Sequence, residues 1–242
     1  MIQRRNTPAG SLRWISINLA LLLFLVTPAV ALEGVTVQVL SVGLPEGLPG
    51  YDLLGNGEIK IHDEAKRRMT ECIQHQLHVR FKWSAYPTKR AIEMLKDGKL
   101  DLLYPMGFSA DRHATMAHSQ ATWDNSDILV STHPIDVSDP QLHLAARLGS
   151  PQQVDESASR PGRMSASYRY ADLVKLLNTG MVDAVVIPRS IYEEMKNQWP
   201  AHAIVSKGRD RRTGFYVSPA LAGNWLRTLD AGISTCENGH GP

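Results

Sequence analysis

One serine lies in a sequence close to the nucleophile motif of hydrolases. The segment Gly107-Phe108-Ser109-Ala110-Asp111 approaches Gly-x-Ser-x-Gly, in which a sharp turn exposes a serine to its substrate. The closing glycine is absent, so the turn that the motif requires is not encoded. The sequence also has no P-loop and no Gly-x-Gly-x-x-Gly fingerprint, and no acid–base pair stands out. We therefore expect neither an enzyme nor a bound cofactor.

A second group of residues could ligate a metal ion. Cys72, His75 and His78 recur at every third position of a predicted helix, and their side chains are those that zinc prefers. Residues at this spacing drift around the helix, and no fourth ligand is evident. No metal site is therefore expected.

Cysteine chemistry offers a further possibility. The chain has two cysteines, Cys72 and Cys236. In an oxidising compartment they could form one disulfide that ties an early helix to the C-terminal tail. Two unpaired thiols are the alternative, and the residue types do not decide between them.

The N-terminus has the pattern of a cleavable secretory signal. Three arginines and no acidic residue precede an apolar run from Trp14 to Val26. The segment Pro28-Ala29-Val30-Ala31 follows this run and has small residues where a signal peptidase cuts. The apolar run is shorter than the roughly 20 residues that span a bilayer. We predict export of the chain, with residues 1–31 removed after about Ala31.

The predicted signal also accounts for the positive charge of the chain. The whole sequence has a formal charge of +2, and removing the three arginines of residues 1–31 leaves −1. A nearly neutral protein is a poor partner for nucleic acid or an anionic membrane surface, so neither is expected.

Strands and helices alternate along the rest of the chain. Apolar periodicity predicts a first strand at 35–42, and Asp63 is a good N-cap for the helix that follows. Residues 151–163 are rich in Ser, Pro and Gly and are predicted to be the least structured part, and residues 209–212 are predicted to be a basic loop. The alternation predicts an α/β fold with mostly parallel sheets. Further strands are predicted at 79–83, 100–106, 127–131, 144–147, 182–187, 203–206 and 214–217, and further helices at 170–178 and 192–198.

Two segments resemble each other at an offset of 82 residues. Each has an amphipathic helix, a glycine, and an aspartate at the head of a buried strand, so that Gly98 and Asp101 match Gly180 and Asp183. A glycine after a helix is common by itself, but two such copies predict two similar lobes. The copies are RAIEMLKDGKLDLL, which starts at residue 90, and DLVKLLNTGMVDAV, which starts at residue 172.

Five short segments, spread over nearly the whole mature chain, follow an order known from one protein family. They are FKWSAYPTKRAIEML, DGKLDLL, Ser109-Ala110-Asp111-Arg112, Gly149-Ser150 and TGMVDAVV. Their order resembles that of the extracellular solute-binding proteins of family 3, the periplasmic receptors of amino-acid-type ABC importers. The resemblance implies a two-lobed periplasmic-binding-protein-like fold of type II, in which each lobe is a mostly parallel sheet flanked by helices.

The same resemblance implies a division of the chain. Residues 35–129 and 214–242 would form the first lobe and residues 130–213 the second, with hinges near Leu129-Val130 and Thr213-Gly214. Cys72 and Cys236 would then share a lobe, which favours the disulfide.

The resemblance further implies a set of ligand-binding residues. Arg112 matches an arginine that binds the ligand carboxylate, a task that suits a planar guanidinium with two parallel donors; a surface arginine paired with Asp111 is the alternative. Ser109 and Ser150 match hydroxyl positions that contact the ligand, although such serines also cap helices. The aromatic candidates for the cleft wall, for which ordinary half-buried packing is the alternative, are Tyr51, Tyr86, Tyr104 and Trp123.

One departure from the family changes the expected ligand. Amino-acid binders of the family usually carry an aspartate just after the second-lobe strand, where it pairs with the ligand ammonium. Here Pro188 takes that place, and Arg189 would add a second cation. We therefore expect a carboxylate, a dicarboxylate or another anion rather than a zwitterionic α-amino acid.

Two functional classes remain open for such a protein, which we expect to be a periplasmic monomer that binds a small-molecule solute. A transport receptor would deliver the solute to a membrane permease. A sensory module of the same fold would signal to a partner such as a membrane kinase, and could bind nothing. An exported hydrolase is a distant third.

Overall fold

Buried strands and amphipathic helices alternate through the chain, as its apolar periodicity predicts. The computed structural model describes residues 37–239, so the predicted signal peptide, residues 1–31, lies outside the described residues. In this range no helix combines the length and the apolar character needed to cross a membrane.

Strands and helices alternate along the described residues, and they include several short elements that the apolar periodicity does not predict. The strands are β1 (Gln38–Pro45), β2 (Tyr51–Leu53), β3 (Ile59–Ile61), β4 (Val79–Tyr86), β5 (Leu102–Gly107), β6 (Ala117–His118), β7 (Trp123–Ser131), β8 (Leu144–Arg147), β9 (Met164–Ser167), β10 (Ala184–Pro188) and β11 (Ile204–Val217). The helices are α1 (Glu64–Leu77), α2 (Thr88–Lys96), α3 (Ala110–His113), α4 (Pro151–Ser159), α5 (Tyr170–Asn178), α6 (Arg189–Glu194) and α7 (Asn224–Glu237).

A mixed sheet runs through the described part of the chain. Its strand order is β4-β1-β5-β11-β7-β10-β8-β9, and β6 pairs with β11. Both ends of the sheet are parallel, with β1 between β4 and β5 at one end and β8 between β10 and β9 at the other. In the middle, β11 is antiparallel to β5 and β7, and β7 is antiparallel to β10. The predicted α/β class with parallel sheets is confirmed, and the long strands β7 and β11 join the two parallel ends.

Separate apolar cores form at the two ends of the sheet. Around β1, β4 and β5, fully buried side chains such as Val42 in β1, Ile73 in α1 and Ile233 in α7 form one cluster. Around β8 and β10, fully buried side chains such as Ala145 in β8 and Leu173 in α5 form a second cluster. Leu48, in the loop after β1, packs against both clusters. The loops between the two cores therefore lie where the two ends of the sheet meet.

Residues 151–163 are more ordered than the sequence predicts, and that prediction is wrong for the first nine of them. They form α4, whose N-cap is Ser150: the serine side chain accepts a hydrogen bond from the backbone N of Gln153 at 3.2 Å. Pro151 lies in the first helical turn, where its missing N–H leaves no hydrogen bond unmade. The composition of the segment, rich in Ser, Pro and Gly, therefore did not indicate this well-capped helix.

The predicted basic loop at residues 209–212 is also wrong, because these residues belong to β11. They pair with β7 in the register Asp210↔Ser126 and Arg211↔Asn125. The register shifts between Lys207 and Asp210, and a Cβ at Gly208 would lie 2.8 Å from a backbone oxygen of β7. A bulge with a glycine thus lets a charged segment stay in the sheet.

A disulfide bond joins Cys72 in α1 to Cys236 in α7, with the two Cα atoms 5.9 Å apart. The predicted bridge is therefore present, and the alternative of two free thiols is wrong. Because Cys72 is bonded, it cannot be the thiolate of a metal site with His75 and His78.

Candidate functional site

A cavity of about 80 Å³ lies at the meeting point of the two ends of the sheet. The carboxyl ends of β1, β5, β8 and β10 face it, as do the amino ends of α1, α2, α4, α5 and α6. Segments of β7 and β11 close it from the side. Ligands of open α/β sheets bind at such strand ends, so this cavity is the candidate site.

A buried ion cluster forms one wall of the cavity. A guanidinium nitrogen of Arg211 in β11 lies 2.7 Å from the carboxylate of Asp127 in β7 and 2.8 Å from that of Asp155 in α4. Gln152 adds a hydrogen bond from its Nε2 to Asp127 at 2.6 Å. These contacts join β7, β11 and α4. Arg209 provides a second cation, with Nη1 3.7 Å from the Asp155 carboxylate, so the cluster leaves little free charge on this wall.

Arg147, the last residue of β8, lines the cavity without such a partner. It is only 6% exposed, and its guanidinium donates to backbone carbonyls, from Nε to Tyr168 at 3.2 Å and from Nη2 to Glu46. The guanidinium carbon lies 5.3 Å from the ring centroid of Tyr170. No carboxylate of residues 37–239 lies within ion-pair distance of it. Sequence reasoning missed Arg147, although a charged residue that closes an apolar strand just before Gly149 was a usable signal.

Arg112, the main sequence candidate, lies behind the cavity wall and does not line it. It is 5% exposed, its Nη2 donates to the Gly149 carbonyl, and its Nη1 is buried without a hydrogen-bond partner. Burial lowers the pKa of its guanidinium. Asp111 forms no ion pair with it in the described chain, and the Asp111 carboxylate accepts a hydrogen bond from the Ser109 hydroxyl. Arg112 is therefore a second buried cation close to the start of α4.

The two candidate serines have different positions. Ser150 lines the cavity and caps α4. Ser109 is buried away from the cavity, and its backbone N donates to the hydroxyl of Tyr216 at 3.2 Å. The structure thus brings one of the two hydroxyls to the candidate site.

The aromatic candidates also divide. Tyr51 and Trp123 line the cavity, and the Tyr51 hydroxyl and the Trp123 indole N–H are buried with no hydrogen-bond partner in the described chain. Burial raises the pKa of the Tyr51 hydroxyl. Tyr104 lies in the core, where its ring stacks on Phe215 with the centroids 3.9 Å apart. Tyr86 packs at the edge of another apolar cluster, so neither it nor Tyr104 lines the cavity.

Arg189 lies outside the cavity, at its mouth. The side chain is exposed, and its Nε donates to the Ser126 hydroxyl at 3.3 Å. It lines a shallow outer depression together with Asp63, Lys66 and Glu194.

Lys66, in the first turn of α1, is the cation at the other end of the cavity. Its Nζ lies 5.3 Å from the centroid of the Trp123 ring and 3.6 Å from a carboxylate oxygen of Asp63. Glu194 also lines the cavity, and its carboxylate lies 3.2 Å from Nδ1 of His62. Sequence reasoning missed Lys66, because it lies in a run of charged residues at the start of a helix.

Solved structures of binding proteins share this architecture. Holo ArgBP from T. maritima is 19% identical, with a TM-score of 0.65 over 82% of this chain and 90% of that chain. The substrate binding protein of an amino acid ABC transporter is 17% identical, with a TM-score of 0.66 over 84% and 94%. The ancestral amino acid-binding protein AncCDT-1, a precursor of cyclohexadienyl dehydratase, is 15% identical, with a TM-score of 0.67 over 83% and 90%.

The sequence itself matches neither a protein-family model nor a curated protein. At these identities the structural matches define the fold. The chain has the type II periplasmic-binding-protein-like fold, as its motifs predict.

Proposed function

We propose that this chain is a periplasmic solute-binding protein that holds a small anionic solute, such as a carboxylate, and presents it to an ABC-type importer. The fold and the position of the cavity support a binding role. The observation that favours an anion is Arg147, a nearly buried guanidinium on the cavity wall that no carboxylate of residues 37–239 approaches within ion-pair distance.

The charge balance around the cavity supports this choice. Arg211 is ion-paired with Asp127 and Asp155, whereas among residues 37–239 neither Arg147 nor Arg112 forms an ion pair with a carboxylate. Both of these cations lie close to the start of α4, where the helix dipole adds partial positive charge. An unpaired buried charge is costly, and an anionic solute would supply the missing countercharge.

A two-lobed division of the chain, with the boundaries implied by the motifs, is part of the proposal. The core around β1, β4 and β5 draws its residues from 40–104 and 215–233, and the core around β8 and β10 draws its residues from 128–199. The hinges would then lie within β7 and β11, near Leu129-Val130 and Thr213-Gly214. Solute would enter the cavity when the lobes separate.

Three further observations support export and delivery. Residues 1–31 have the pattern of a signal peptide, and a disulfide such as Cys72–Cys236 persists in oxidising compartments. One structural neighbour is the substrate binding protein of an amino acid ABC transporter, which supports a membrane permease as the partner of a monomeric receptor.

Thermal melting of the mature protein against acetate, succinate, sulfate, glutamate and arginine tests the proposal. A true ligand at 100 times its Kd should stabilise the protein by about 2.7 kcal/mol, which for a chain of this size raises Tm by roughly 5–10 °C. Arg147→Met should remove the response, because the substitution keeps the packing over Tyr170 and deletes the charge. Arg163→Met, which changes an exposed arginine, should leave it intact.

Two results would contradict the proposal. If none of the anions shifts Tm, the chain does not capture such a solute, and a sensory module without a ligand becomes the better reading. If Arg147→Met binds an anion with unchanged Kd, the guanidinium is not part of the site.

A further inference from the structure

We infer that the ammonium group of Lys66 occupies the place in the cavity where the positive group of a cationic solute would otherwise bind. Lys66 thereby makes the protein reject cations. The inference rests on the proposed function, because it assumes that the cavity is where solute binds. It names a specificity residue that the sequence motifs did not indicate.

The surroundings of Lys66 are those of an ammonium-binding cage. The face of Trp123 lies 5.3 Å from Nζ, and a carboxylate oxygen of Asp63 lies 3.6 Å from it. Glu194 and Tyr51 line the same cavity. An aromatic face beside carboxylates is the combination that recognises organic ammonium ions. In this protein the ammonium group of Lys66 occupies that place.

The position of Lys66 in α1 is unusual for a lysine. Asp63 is the N-cap and accepts a hydrogen bond from the backbone N of Lys66 at 3.1 Å, so Lys66 is the third residue of the helix. A glutamate or glutamine is favoured there, and the helix dipole disfavours a cation in the first turn. A lysine at this position therefore contributes little to the helix, whereas its side chain reaches the cavity.

Two buried hydrogen-bond donors indicate which kind of solute this cavity accepts. The Tyr51 hydroxyl and the Trp123 indole N–H line the cavity without partners, and an indole N–H can only donate. Together with Lys66, which lines the same cavity, they offer donors to an acceptor oxygen. Arg147 offers donors from the wall at β8. The two cations together favour a solute that carries acceptor oxygens and no positive charge.

A purely structural role for Lys66 makes a different prediction. The Lys66–Asp63 pair is partly exposed, with 19% and 42% of the two side chains accessible, and such pairs contribute little to stability. If Lys66 acted only as a partner of Asp63, its replacement would change the melting temperature slightly and leave the charge preference of the cavity unchanged.

Calorimetric titration of wild-type protein and Lys66→Met with tetramethylammonium, arginine and succinate separates these roles. Lys66→Met removes the ammonium group from beside the Trp123 ring and from the Asp63 carboxylate. It should bind tetramethylammonium at least about tenfold more tightly than the wild type. Adding Asp63→Asn should reverse that gain. Lys96→Met, which removes an exposed lysine at the end of α2, should behave as wild type.

The inference is overturned if Lys66→Met, shown by its melting curve to be folded, gains no affinity for either cation. If that variant does not fold, Lys66→Gln, which suits the third position of the helix, takes its place with the same criterion. The proposed function fails separately, through the absence of anion binding by the wild type. A gain of cation binding by Lys66→Met would still establish the role of the lysine in that case.

Discussion

Asp101 and Asp183 lie 82 residues apart in the chain and make the same contact with a neighbouring segment. The carboxylate of Asp101 accepts a hydrogen bond from the backbone N of Ser41 at 2.7 Å, and that of Asp183 accepts one from the backbone N of His143, also at 2.7 Å. In return, the backbone N of each aspartate donates to the carbonyl of the same partner, at 3.0 Å and 2.8 Å. Asp101 therefore holds the start of β5 against β1, and Asp183 holds the start of β10 against the start of β8.

The glycines of the repeat are equivalent too. Gly98 follows α2 with a φ of +68°, and Gly180 follows α5 with a φ of +67°. Both end their helices in the left-handed conformation that favours glycine. The likeness of the two segments in sequence is thus a likeness of structure.

Substitution of the two aspartates should destabilise the protein unequally. Asp101 also accepts a hydrogen bond from the Ser41 hydroxyl at 2.7 Å, so Asp101→Asn removes the charge from two hydrogen bonds and Asp183→Asn removes it from one. We expect Asp101→Asn to lower the free energy of unfolding by about 2–4 kcal/mol and Asp183→Asn by about 1–2 kcal/mol, as measured in urea. The double variant should show the sum, because the sites are independent. Equal losses would mean that the Ser41 hydroxyl contributes nothing.

Loss of the disulfide should have a larger effect. The bond closes a loop with a sequence separation of 164 residues, and a loop of that length restricts the unfolded chain strongly. Cys72→Ser should therefore lower the free energy of unfolding by about 4–5 kcal/mol. The double variant Cys72→Ser with Cys236→Ser should lose no more than that. A wild-type unfolding midpoint that is the same with and without reductant would contradict the expectation.

The buried ion cluster gives a third prediction. The side chains of Arg211 and Asp127 are 9% and 4% exposed, so Arg211→Met leaves Asp127 buried and uncompensated. We expect a loss of about 3–5 kcal/mol in chemical unfolding. Asp155→Asn should cost less, because Asp155 is 26% exposed. Adding Asp127→Asn to Arg211→Met should restore part of the stability, and a further loss in that double variant would refute this account of the cluster.

Local sequence predicted those features whose causes are local. Asp63 caps α1 through the backbone N of Lys66 three residues away, and the strands follow from apolar runs. The charged part of β11 was not predictable in this way, because the carboxylate that neutralises Arg211 is Asp127, 84 residues away. Its residues looked like a loop only because their partners are distant in sequence.

The sequence predicted only part of the candidate site, because the position of several site residues depends on partners that are distant in the chain. Trp123 and Tyr51 are brought to the cavity, whereas Tyr104 faces the core. An aromatic residue near a strand end can face either side, and the sequence does not say which one the cavity occupies. The role of Arg147 depends on the Glu46 carbonyl, 101 residues away, and only the tertiary structure reveals that contact.

An ion-paired histidine links two elements at the mouth of the cavity. Nε2 of His62, just after β3, lies 2.8 Å from the carboxylate of Asp52 in β2, and its Nδ1 lies 3.2 Å from that of Glu194 in α6. The hydrogen bonds to Asp52 and then to Glu194 raise the pKa of His62 above its ordinary value. The hydrogen bond to His62 lowers the pKa of Asp52. The link is therefore strongest where His62 is protonated and both carboxylates are ionised.

The stability that this link provides should depend on pH in a defined sense. A raised histidine pKa gives stability that is complete below the unfolded value of about 6.5 and is lost as the pH rises through the folded value. The lowered pKa of Asp52 gives stability that is lost only in acid, below about pH 4. We expect the difference in Tm between wild type and His62→Gln to be largest near pH 5–6 and to vanish near pH 9, with a modest size because His62 is 40% exposed. His202→Gln, which changes an exposed histidine, should show no such trend. A difference for His62→Gln that is the same at both ends of this range would mean that packing, and not charge, joins His62 to Glu194.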